Sequence, residues 1–168
     1  MLVTGAALRT PLAFGAGKKT EDPYAMLEAR FTPRTVFMEI GSPDPTLALR
    51  AASYVERVYS IVSGQPAQNL RAPCNLRVVL CDGLRIPVPE ASVDIAWSAD
   101  FMDGLRPDGV AEHLRGVYRG LAAGGEYLFT TQQPLAEVRR RVFAAGFSVV
   151  RVALLSLLLK PVRITAIK

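Results

Sequence analysis

The sequence predicts an α/β domain: a doubly wound, mostly parallel sheet of seven strands with the last strand antiparallel. Three observations predict it. Short apolar runs alternate with amphipathic segments from residue 36 to the C-terminus. The first five runs are joined through helical segments, which makes those strands parallel and buries them under helices on both faces. The last two runs are joined by a brief connection containing Lys160-Pro161, too short for a crossover helix, so they pair antiparallel.

Each element has its own signal. Residues 36–41 form an apolar run ending in Gly41, the first strand. Asp44 then serves as a helix cap and Pro45 as the first helical residue of a segment reaching Ala52. Residues 57–62 read as strand two, 63–70 as a short helix or loop, and 76–81 as strand three, closed by the Asp82-Gly83 turn. Residues 93–98 are strand four. Between 107 and 122, Val110, Leu114, Val117, Tyr118 and Leu121 recur at helical spacing, with Gly124-Gly125 as the stop. Strand five covers 126–131. Leu135, Val138, Val142 and Ala145 share one face of the next helix, stopped by Gly146. Residues 147–155 and 162–167 are the final strands. Residues 1–35 read as an N-terminal arm with a helix over 22–30, lying against the sheet or covering its C-terminal edge, and 36–168 as the domain proper.

Composition excludes several classes. A chain of 168 residues, 50% hydrophobic and 21% charged, with 13 Gly and 12 Pro, fits one compact domain and not a collagen-like, coiled-coil or disordered chain. Cys74, Cys81 and the single His113 are too few for a disulfide framework or a His/Cys zinc cluster, and the simplest setting is a reducing, cytoplasmic one. Arg9 and Pro11 interrupt the mildly apolar start, unlike a secretory signal. The apolar run 152–159 falls short of the ~20 residues that span a bilayer. Its leucines read as core, with a dimer or partner contact as the alternative. The net charge of +5 draws anions at long range, but no aromatic interleaving or nucleic-acid module accompanies it. Arg139-Arg140-Arg141 therefore reads as a solvated helix face and His113 as a packing residue.

The stretch Asp82-Gly-Leu-Arg-Ile-Pro-Val-Pro-Glu-Ala-Ser-Val-Asp-Ile-Ala-Trp-Ser98, followed by Glu112-His-Leu-Arg-Gly-Val-Tyr-Arg-Gly-Leu-Ala-Ala-Gly-Gly-Glu-Tyr-Leu-Phe129, resembles the class I S-adenosylmethionine (SAM) dependent methyltransferases of the type 11 kind. The resemblance covers about residues 36–168 and implies a Rossmann-like sheet with its ligand at the carboxyl ends of the strands. It implies SAM as cofactor and Glu39, Gly41, Asp82, Gly83 and Ser98 as cofactor-binding residues. Glu39 would serve the methionine end, Gly41 the ribose side and Asp82 the adenine amino group. Departures from the pattern lie in the same place. Pro43 and Pro45 occupy the second and third glycine positions, where each fixes φ and removes an N–H. Val62 stands where an acidic residue holds the ribose hydroxyls, a loss of about 1.5–3 kcal/mol, or roughly 10- to 100-fold, unless Ser63 or Gln65 substitutes.

Asp94 reads as a structural residue at a strand start. Asp100 and Asp103, just beyond strand four, read either as solvated loop carboxylates or as groups that orient or deprotonate a nucleophile. Two functions follow. One is methyl transfer to a small-molecule nucleophile, which depends mainly on positioning. The other is an inactive methyltransferase-fold subunit that binds another ligand or a protein partner. A nucleic-acid methyltransferase rests on charge alone. No insertion is large enough for a substrate domain, so residues 1–35, a second copy of the chain or another protein would complete any pocket.

Overall fold

A computed structural model describes residues 23–43, 45–63, 71–154 and 162–168. Seven strands, β1 (Val36–Ile40), β2 (Arg57–Val62), β3 (Leu76–Leu80), β4 (Val93–Ser98), β5 (Leu121–Thr131), β6 (Val149–Leu154) and β7 (Val162–Ile167), form one sheet in the order β3-β2-β1-β4-β5-β7-β6. Strands β1 to β5 are mutually parallel, whereas β7 runs antiparallel to both β5 and β6. The seven-stranded α/β expectation therefore holds. Strand order reverses between β1 and β4, which leaves a crevice at their carboxyl ends.

Among the described residues four helices flank the sheet: α1 (Pro23–Glu28), α2 (Thr46–Ala51), α3 (Pro107–Gly120) and α4 (Leu135–Ala144). The alternation of side chains along β1 and β4 divides the interior into two layers. Met38, Ile40 and Ala96 face α3 and α4, joining Val110, Leu114, Val117, Val138 and Val142. Phe37, Ile95 and Trp97 face α1 and α2, joining Leu27, Ala48 and Ala51. Asp94 accepts the Val36 N–H at 2.8 Å and ties the start of β1 to β4, the structural role expected of it.

Three boundaries differ from the sequence reading. Helix α2 begins at Thr46, with Pro45 in the cap position and no side-chain cap of its own, and residue 44 lies outside the described residues. One first-turn N–H of α2 is satisfied from β1, as described below. Gly124-Gly125 does not stop α3. The helix ends at Gly120 and the chain enters β5 directly at Leu121, because the Val93–Leu121 pairing begins the strand before a register shift against β4. Gly124, at φ +75°, lies inside β5, where its N–H meets the Lys168 carbonyl. The sixth strand starts at Val149, not 147, since Phe147 is buried in the α3 layer. The segment 64–70, most of the 154–159 apolar run and residues 1–22 lie outside the described residues. Among the described residues, no helix is long and apolar enough to cross a membrane.

Candidate functional site

The carboxyl ends of β1, β3 and β4 bring the five sequence-predicted site residues into one region, but on different faces of it. Glu39 and Trp97 are register partners on neighbouring strands, so their side chains lie together on the α2 face. Glu39 is buried, and its Oε2 accepts the Ala48 N–H at 3.2 Å. A strand carboxylate thus satisfies one of the first-turn donors of α2, a task that Pro45 has no side-chain group to perform.

Ser98 points to the other face, into a buried polar chain. Its hydroxyl lies 2.6 Å from the Tyr127 hydroxyl, which lies 2.8 Å from His113 Nε2, and His113 Nδ1 lies 2.7 Å from the Gly83 carbonyl. A carbonyl only accepts, so Nδ1 carries the proton. Nε2 then accepts from Tyr127, and Tyr127 accepts from Ser98. Every member is satisfied, and Ser98 and His113 are fully buried. Burial holds the His113 imidazole neutral, lowering its pKa to about 4 against the opposing effect of its bond to Gly83. Burial raises the Tyr127 phenol above its ordinary value. The chain anchors the Gly83 turn to β4 and β5 and leaves His113 a packing residue.

Asp82 is exposed, and its Oδ1 accepts the N–H groups of Leu84 at 2.9 Å and Arg85 at 3.4 Å, closing its own turn. Gly41 and Gly83 both have positive φ, +80° and +75°. A side chain is excluded at each for a second reason, the ring of Phe101. A Cβ at Gly41 would lie 2.9 Å from Phe101 Cγ, and one at Gly83 would lie 2.8 Å from Phe101 Cε1, with other ring atoms closer still. The two glycines thus form a cradle, and a phenyl ring from the same chain fills it, packed on His113 with ring centroids 5.0 Å apart.

Phe101 opens a 3₁₀ turn (Phe101–Gly104) whose backbone is fixed on both sides. Asp100, at φ +50°, donates its N–H to the Thr130 hydroxyl at 3.0 Å. Asp103 accepts the Thr131 hydroxyl on one carboxylate oxygen and the Gln132 N–H, 2.8 Å away, on the other, while Gln133 Nε2 reaches the Met102 carbonyl at 3.0 Å. Both oxygens of Asp103 therefore hold the turn to the end of β5.

Beside the filled cradle, on the α2 face, an open cleft of about 370 Å³ is lined by Glu39, Gly41, Thr46, Arg50, Trp97 and Ala99, among others. The Arg50 guanidinium at its edge lies 3.7 Å from the Tyr24 ring centroid. Phe101, Trp97, Arg50 and Tyr127 were not among the residues that the sequence singled out. The available signal was a pair of glycines in turns after strands one and three, positions that suit positive φ or a close neighbour. Arg140 and Arg141 are both ion-paired with Glu137 at 2.7 Å, which suits a solvated face. Among the described residues no His, Cys, Asp and Glu cluster suits a metal ion.

The structure is similar to a SAM-dependent methyltransferase from Mesorhizobium loti, with TM-score 0.70, 12% identity and coverage of 86% of this chain and 96% of that one. It is also similar to phosphoethanolamine N-methyltransferase 2 of Haemonchus contortus in complex with SAM, with TM-score 0.65, 16% identity and 78% of this chain covered. This chain spans only 38% of the length of that protein. A geranyl diphosphate methyltransferase bound to sinefungin gives TM-score 0.63 at 14% identity, over 86% of this chain and 76% of that one. No protein-family model and no curated protein matches the sequence. The chain has the fold of the class I SAM-dependent methyltransferases.

Proposed function

We propose that this chain is a methyltransferase-fold binding subunit that does not seat SAM in the manner of its fold neighbours. The observation that carries this reading is the Phe101 ring packed against both Gly41 and Gly83. These glycines are the residues that the sequence resemblance assigns to the ribose side and the turn beside the adenine contact, so the ring stands where the nucleoside would lie. Three further features act in the same direction. Val62 offers no acceptor to ribose hydroxyls, Pro43 offers no N–H, and Glu39 Oε2 and Asp82 Oδ1 already hold backbone N–H groups. The residues present do not fit SAM, and no step of methyl transfer is assigned to them.

Methyl transfer to a small molecule is the second reading. It draws on the cleft of about 370 Å³ that still reaches Glu39 and Gly41, and it requires the Phe101 ring to leave the cradle. Thermal melting with SAM and S-adenosylhomocysteine separates the two. A ligand at 100 times its Kd stabilises the folded chain by about 2.7 kcal/mol and raises Tm. The binding-subunit reading gives no rise with either ligand at millimolar concentration, and a rise of several degrees with either one restores the enzyme reading.

A further inference from the structure

We propose, building on the reading of this chain as a binding subunit, that the outer edge of β6 takes an extended acidic peptide segment of another protein as an eighth strand. Strand β6 ends the sheet, so among the described residues one row of its backbone N–H and carbonyl groups pairs with no other strand. Such a row is a template for a further strand, and folded proteins commonly blunt it with proline, charge or a bulge. Over Val149–Leu154 there is no proline, Arg151 is the one charged residue, and pairing with β7 runs without a register shift. The margin is also apolar. Val150 pairs with Ala166 and Val152 with Ile164, both buried in the layer shared with α3 and α4, so that apolar face continues to the edge of the sheet. Val149 and Val152 are 42% and 37% exposed, and Phe143 near the end of α4 is exposed as well.

Charge decides the partner. Residues 138–168, which supply most of α4 and all of β6 and β7, contain seven Lys and Arg and no Asp or Glu. The first 137 residues hold the other 13 against all 15 acidic residues, so the positive excess of the chain lies in the segment that builds this edge. Arg151 projects from the opposite face of β6 to Val152, is exposed, and has no ion pair among the described residues. A second copy would set this acid-free edge against itself. An acidic strand meets no such opposition: its alternating side chains place apolar groups beside Val152 and carboxylates beside Arg151, while main-chain hydrogen bonds supply affinity. A nucleic acid would use the charge but not the backbone row. Strands β5 and β7 separate β6 from β4, so the site is independent of the crevice.

The full chain is titrated against a fluorescein-labelled peptide of alternating Glu and Val, read by anisotropy. The same peptide N-methylated at every residue tests the backbone pairing, and an alternating Lys and Val peptide tests the charge. The Glu-Val peptide gives a saturable rise, and the other two bind at least tenfold more weakly. Arg151→Glu weakens binding at least tenfold, while Arg77→Glu, the same change of charge on β3 at the opposite edge of the sheet, leaves it within about twofold. Thermal melts identify any variant that fails to fold, and the N-methylated peptide keeps the test on the unaltered chain. No saturable response, equal binding of the N-methylated peptide, or equal losses in the two variants overturns the edge site. So does tighter binding of a single-stranded RNA oligonucleotide, or a dimer of the chain that Val152→Asp dissociates. A rise in Tm with SAM would instead overturn the binding-subunit reading and leave the peptide result to decide the edge.

Discussion

His113 shows how a single titratable residue is bound to this fold. Its imidazole is neutral in the folded chain, with a pKa of about 4, against an ordinary value of 6.5 once exposed. As pH falls, the unfolded chain takes up this proton first. The stability that His113 confers is therefore complete above about pH 6.5, is lost progressively between 6.5 and 4, and changes no further below that. A shift of this size corresponds to a loss on the order of 3 kcal/mol. Urea midpoints measured across this range fall more steeply for the unaltered chain than for His113→Gln, and parallel profiles would contradict the account. The cradle has its own single-residue test. Gly41→Ala is destabilising, both through its positive φ and through collision with Phe101, and Phe101→Ala relieves only the collision. A double-mutant cycle should give a coupling of about 0.5–3 kcal/mol. At this scale the sequence revealed which positions matter but not what meets them. Gly41 and Gly83 were legible through the family resemblance and as turn residues, and both take positive φ. Phe101 lies 60 and 18 residues away in sequence, and no local pattern encodes a contact across such a separation.

Among the elements, the 3₁₀ turn is the part on which the site depends. Asp103 holds it to β5 through the Thr131 hydroxyl and the Gln132 N–H, and both donors lose their partner in Asp103→Ala. That change should cost about 1–3 kcal/mol, while Asp103→Asn, which keeps one acceptor, costs less. Urea denaturation of the two variants checks the order, and equal losses would show that the clamp does not hold the turn. Strands and helices were read from the sequence because apolar spacing is a local property: Val110, Leu114 and Val117 are buried as their period requires. Junctions were not. Gly124-Gly125 resembles a helix stop, yet pairing of Leu121 with Val93 draws the chain into β5 earlier, and a tertiary pairing overrides a local glycine signal. The bond from Glu39 to the Ala48 N–H escaped for the same reason, since it comes from another element.

At the scale of the whole molecule, a methyltransferase fold carries a crevice in which Phe101 packs on Gly41 and Gly83. The parallel run of five strands and the antiparallel last pair were legible because parallel strands require crossovers and a short final connection forbids one, whereas the order of the strands across the sheet was not. The division of the crevice was not legible, since it arises where β1, β3 and the turn after β4 converge. On one side of Gly41 the Phe101 ring fills the cradle between the two glycines, and on the other the Glu39 and Trp97 face stays open. Opening the first side should require both a vacated cradle and a ribose acceptor. The variant Phe101→Ala with Val62→Asp is therefore predicted to bind S-adenosylhomocysteine at least tenfold more tightly than either single variant. The most direct test of the closed crevice is a calorimetric titration of the unaltered chain with S-adenosylhomocysteine. The structure predicts no saturable heat up to millimolar ligand, and micromolar binding with one ligand per chain would contradict it.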